Sequence, residues 1–117
     1  MKTFRDLKIW EKSHALVLEI YKITKKFPGE EKFGLVSQLR RSASSIPSNI
    51  VEGFKRKSKK DFAHFINIAE SSLEETKYSL LLSLDLCYLK RADFDALSEK
   101  CDEIGRMLNG LHKKLNP

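Results

Sequence analysis

Only two cysteines, three prolines and five glycines are spread over the 117 residues of this chain. So little glycine and proline leaves scant material for the tight turns of a sandwich or barrel. Two thiols likewise cannot build the disulfide framework of a small secreted module. Long hydrophobic runs are also missing. The longest, Leu80 to Leu89, is about half of the ~20 residues that a bilayer-spanning helix needs, and Asp85 interrupts it. The opening MKTFRDLKIWEK scatters charges where a secretory leader requires an apolar stretch. These absences lead to the expectation of a cytoplasmic protein with no membrane span and with reduced thiols.

What is present favours helices. Leu, Lys, Ser and Glu are the commonest residues, and a single domain of this size buries roughly 65% of the surface that its unfolded form exposes, so a core without staples is feasible. Four segments carry the helical period. In the first, Ile9, Leu16, Ile20, Ile23 and Phe27 share a face widened by Trp10, Val17 and Tyr21, and Phe27-Pro28-Gly29 stops it. The second follows Val36, Leu39, Ala43, Ile46 and Ile50 and runs to about Lys57. The third starts at Ser58, with Asp61 three residues on as an acidic capping box, and its seam is Phe62, Ile66, Ala69, Leu73, Thr76, Leu80, Ser83 and Cys87. The fourth takes Asp93 as N-cap and keeps its rhythm through Phe94, Leu97, Cys101, Ile104, Leu108, Leu111 and Leu115.

Short connections between long helices force antiparallel neighbours. The expected fold is therefore all-α, an up-down-up-down antiparallel four-helix bundle in one domain spanning 1–117. Cys87 and Cys101 fall on facing seams but differ in depth by about 7 Å at the helical rise, which strains a disulfide and makes both small core residues. Two features exceed what a lone bundle needs. Apolar residues at Leu80, Leu81, Leu82, Leu84 and Leu86 encircle the third helix, so its outer side, with Leu81, Leu82, Leu84 and Leu86, must be covered either by a wide core face of its own bundle or, the reading favoured here, by another copy. Pro47 sits inside the second helix, where it has no donor for the Ala43 carbonyl. A kink is expected, with Ser44, Ser45, Ser48 and Asn49 satisfying freed backbone groups.

Charge is the strongest functional signal. Between Arg40 and Lys60 lie Arg40, Arg41, Lys55, Arg56, Lys57, Lys59 and Lys60 against one acid, Glu52, while the other 96 positions hold 15 residues of each sign. The whole formal excess of +6 sits in that segment. Such a cluster attracts nucleic-acid phosphates through counterion release, whatever the base sequence; Lys55 to Lys60, beside a helix end, are the stronger candidates, whereas Arg40 and Arg41 are open to a structural ion-pair role as well. A solvated basic loop without a partner has the same composition. No zinc-finger spacing, aromatic-rich sheet signature or helix-turn-helix is visible, so binding by backbone charge and shape is expected.

The stretches FRDLKIWEKSHALVLEIYKITKKFP, GLVSQLRRSASSIPSNIVEG and IAESSLEE resemble, in order and spacing, the four-helix-bundle family of 23S rRNA intervening-sequence proteins. The most specific part is QLRR followed by SIPSNI and EG. The matching positions are Gln38, Arg40, Arg41, Pro47, Asn49, Glu52 and Gly53. The resemblance implies a bacterial protein that forms ring-like homopentamers with basic surfaces and binds nucleic acid, RNA in particular. It also implies similarity to the accessory variability proteins of diversity-generating retroelements. A protein-interaction scaffold or accessory subunit of an RNA-handling enzyme such as a reverse transcriptase is the alternative. Where the family often has Arg and Gly after its counterpart of Ala69, this chain has Glu70 and Ser71.

Catalytic readings are weaker. Glu11 with His14 has the Glu-x-x-His spacing of di-iron bundles and Asp61 with His64 nearly does, but the second helix offers no inward carboxylate, so neither metal nor cofactor is expected. The serines of SASSIPSN lack a patterned base. Glu52 has Arg56 four residues on, the spacing of a helix ion pair. No enzyme activity is expected.

Overall fold

The computed structural model describes residues 3–117. Four helices, α1 (Lys8–Thr24), α2 (Leu35–Phe54), α3 (Lys59–Asp85) and α4 (Arg91–Leu115), make an all-α bundle, with short 3-10 turns at Phe4–Asp6 and Gly29–Glu31. Each helix packs on its sequence neighbour and α4 closes on α1. That leaves α1 diagonal to α3 and α2 diagonal to α4. The core is the expected set of seams: Leu16, Ile20, Leu39, Ala43, Ile46, Ile50, Ile66, Ala69, Cys101 and Leu108 have no exposed surface.

The closest helix pair is α2 with α3, and its seam is made of small polar residues. The Thr76 hydroxyl donates to Ser42 Oγ at 2.9 Å, and the Ser45 and Ser72 hydroxyls share a hydrogen bond of 2.9 Å. Small side chains let two backbones approach, and a buried hydroxyl is tolerated because each finds a partner. At the end of this seam, a methyl on Gly53 would meet Phe62 Cδ1 at 2.7 Å and Phe65 Cβ at 2.9 Å. Only glycine lets α2 and α3 close there.

Several boundaries differ from the expected ones. Helix α2 stops at Phe54, three residues short of Lys57, as the chain turns beside Gly53. It passes through Pro47 as one element with that ring buried. The surrounding polar side chains serve other groups than the Ala43 carbonyl: Ser44 donates to the Arg41 carbonyl, Asn49 Nδ2 to Ser45, and Ser45 turns to Ser72. The N-cap of α4 is Lys90 rather than Asp93, which falls in the first turn.

Cys87 is not a core residue. It is exposed, and at φ 65° it lies beyond α3 in the left-handed region. The Tyr88 amide donates to the Ser83 carbonyl and the Cys87 amide to the Leu84 carbonyl, both at 2.9 Å. These are the paired bonds of a Schellman ending, which normally takes glycine at the position Cys87 fills. Extending the seam through Cys87 failed because the helix had already ended.

Candidate nucleic-acid interface

The turn between α2 and α3 is assembled from both helix ends. Lys55 is the C-cap of α2, and the Ser58 hydroxyl accepts the Asp61 amide at 3.1 Å to start α3. Lys55, Arg56, Lys57, Lys59 and Lys60 are all exposed. Arg56 is the committed member: its guanidinium lies 4.6 Å from the Phe65 ring centroid, and its Nη2 is 3.5 Å from a Glu52 carboxylate oxygen. Among the described residues the four lysines have no carboxylate partner within salt-bridge distance. Lys59 and Lys60 occupy the first turn of α3, where the helix dipole disfavours cations. Local stability therefore does not explain their presence.

Topology adds to this end of the bundle what linear counting missed. An up-down-up-down arrangement brings the start of α1, with Arg5 and Lys8 beside it, and the last turn of α4, with Lys113 and Lys114, to the end that carries the α2–α3 turn. Thr3 and Phe4 indeed share a groove with Val51, Glu52, Phe54 and Lys55. The signal was available in the bundle topology, but these cations lie at the two ends of the sequence, far from the 40–60 segment in a linear charge count.

The same geometry removes Arg40 from the cluster. It precedes Lys55 by fifteen residues, about 22 Å along a helix. Its Nε donates to Thr24 Oγ1 at 3.0 Å, its Nη2 to the Tyr21 carbonyl at 3.3 Å, and its guanidinium stacks 4.5 Å from the Tyr21 ring centroid. Arg40 thus closes the C-terminal turn of α1, where free carbonyls and the dipole favour a cation. Arg41 is exposed and lines a groove with Tyr21, Phe33 and Val36. Gln38 is exposed on α2.

The leucines around α3 divide. Leu82 and Leu84 are half-buried in their own subunit, Leu82 against the core and Leu84 beside Ile23 and Tyr88. Leu81 and Leu86 remain exposed, together with Tyr78. Tyr21, counted on the core face by its period, is exposed as well.

Groups with chemical potential are otherwise engaged in packing. His14 stacks on Trp10 at 4.9 Å, and Glu70, where the resembled family often has arginine, pairs with His112 Nδ1 at 2.8 Å. Burial pushes the Cys101 thiol up to about 12, with Asp102 and Glu74 adding to the rise and Lys77 opposing it. Among the described residues no three His, Cys, Asp or Glu side chains are grouped to hold a metal ion, and no helix is long and apolar enough to cross a membrane.

Residues 5–110 match the family model described as 23S rRNA-intervening sequence protein. No curated protein matches the chain. A solved structure, a protein of unknown function from the S23 ribosomal protein family of Bacteroides thetaiotaomicron VPI-5482, is 29% identical with a TM-score of 0.81. The match covers 90% of this chain and 98% of that one.

Proposed function

Because the chain belongs to the 23S rRNA-intervening sequence protein family, we propose that it is a non-enzymatic, self-associating basic protein that binds nucleic acid, RNA foremost, through the phosphate backbone. The observation that carries this reading is the α2–α3 turn: four exposed lysines with no acidic partner, two of them held against the dipole of α3. The Lys59 and Lys60 amides, which begin α3 ahead of the Ser58-capped Asp61 amide, point the same way, because a helix N-terminus favours phosphate. Arg5, Lys8, Lys113 and Lys114 extend the positive end. Several copies presenting this end together multiply its avidity for a polyanion, which links self-association to binding. Membership of the family is what favours RNA over DNA.

The test is binding to generic single-stranded RNA and to duplex DNA across a salt series, with the wild type and with the triple variant Lys57→Ala/Lys59→Ala/Lys60→Ala. Each phosphate contact contributes a slope of about 0.7–0.9 in log affinity against log salt, so the triple variant flattens the dependence by roughly two units. Its thermal stability is expected to be unchanged or higher, because two cations leave a helix N-terminus. Absence of binding at low salt, or an unchanged slope, refutes the reading in favour of a protein-interaction scaffold.

A further inference from the structure

Among the described residues six large apolar side chains are left uncovered: Leu18, Tyr21, Phe33, Tyr78, Leu81 and Leu86. They form two groups of three. Leu18 and Tyr21 lie three apart on α1, with the Arg40 guanidinium of α2 stacked on the Tyr21 ring. Phe33, 89% exposed, lies beside Tyr21 in the groove between α1 and α2. The polar part of that groove is Lys32, Ser37, Arg40, Arg41 and Ser44, with no acid. Tyr78 and Leu81, three apart on α3, belong to its solvent stripe, and Leu86 ends the same helix. That stripe also carries Glu74 and Asp85 at the helical period, with Glu75 beside it. Its nearest cation, Lys77, is turned to Glu74 and Asp102.

One patch is therefore apolar and basic, the other apolar and acidic. The first lies in the groove between α1 and α2, and the second lies on the solvent stripe of α3, which packs on α2 and is diagonal to α1. We infer that the α3 patch of one copy docks into the α1–α2 groove of a second copy, placing Tyr78 and Leu81 against Phe33 and Leu18 and bringing Glu74 and Asp85 toward Lys32 and Arg41. This rests on the self-association proposed above and specifies its chemistry. A two-fold dimer built on either patch alone would set that patch against itself, acid on acid or base on base. A head-to-tail contact pairs unlike charges and buries both apolar groups. It leaves one free patch at each end of any open chain of copies, so growth stops only when the ring closes.

The test uses the full chain in two variants, Phe33→Ala/Arg41→Glu to spoil the groove and Tyr78→Ala/Leu81→Ala to spoil the α3 patch. Each alone is expected at the 13.5 kDa chain mass with wild-type helical content. Mixed in equal amounts, well above the concentration at which the wild type assembles, they form a particle of two chains and nothing larger, because each supplies the patch the other lacks. Variants that keep the wild-type mass, or a mixture that stays at the chain mass while the wild type assembles, overturn the pairing but leave self-association standing. A wild type that remains at the chain mass overturns both. If a double variant fails to fold, Phe33→Ala and Tyr78→Ala singly are each expected to weaken assembly roughly tenfold, about 1.4 kcal/mol. Phe33→Ala that weakens RNA binding and leaves the mass unchanged assigns the groove to nucleic acid instead.

Discussion

The guanidinium of Arg40 reaches across from α2 to Thr24 Oγ1 at 3.0 Å and completes the last turn of α1. Its neighbour Arg41 faces solvent. Two adjacent arginines in one motif thus do unlike work. Arg40→Ala is expected to cost about 1–3 kcal/mol, the range of hydrogen bonds from a charged group, with Arg40→Lys recovering only part because an ammonium lacks the planar fork. Arg41→Ala should stay within about 0.5 kcal/mol of wild type. Denaturant midpoints at constant m-value measure both.

Two glycines in helices should respond in opposite ways. Gly53→Ala drives a methyl into the Phe62 ring and is expected to destabilise by about 1–3 kcal/mol despite better helix propensity. Gly110→Ala meets nothing within 4 Å and should stabilise by about 0.5–1 kcal/mol. Thermal melts of the pair separate close packing from propensity.

The two thiols should differ in reactivity. Cys87 is exposed, while Cys101 is buried with its thiol pushed up to about 12, so an alkylating reagent at neutral pH is expected to modify one thiol in the native protein and two in denaturant. Cys87→Gly should stabilise the chain by about 0.5–1 kcal/mol, since it relieves a left-handed backbone at a non-glycine residue.

Tyr88 donates its hydroxyl to Glu31 Oε2 at 3.0 Å, and that bond, with the carboxylate's negative charge, raises its pKa above the ordinary 10.0. A group whose folded pKa is raised stabilises the fold fully below its unfolded pKa and loses that contribution as pH climbs through the folded one. Spectrophotometric titration at alkaline pH should show a late phenolate that Tyr88→Phe removes. The stability difference between wild type and Tyr88→Phe should shrink at the same pH.

The four helices and most of their buried residues were legible because a 3.6-residue period over long segments is a strong signal. Where α3 ended was not. A Schellman turn with cysteine in place of glycine has no marker in sequence, and the seam was carried one residue set too far, into Cys87. The start of α4 was misplaced for a related reason, since Asp93 is a good cap but Lys90 is the residue that turns the chain. In the candidate site, the charge excess was plain but its partition was not. Arg40 is bound to residues 16 and 19 positions away, and Arg5, Lys8, Lys113 and Lys114 join the basic end only through the topology. The link from Glu31 to Tyr88 spans 57 positions and is likewise invisible to periodicity.

The seam of Ser42 with Thr76 and Ser45 with Ser72 also works as a ruler. Apolar faces tolerate sliding, whereas a hydroxyl that slips by one turn loses its partner. The depth of α3 against α2 is therefore indexed, and along α3 the eighteen residues from Lys60 to Tyr78 set about 27 Å between the cationic tip and the aromatic patch. That spacing is identical in every copy, because the separation of the Lys60 end from the Tyr78 patch is written into one helical hairpin.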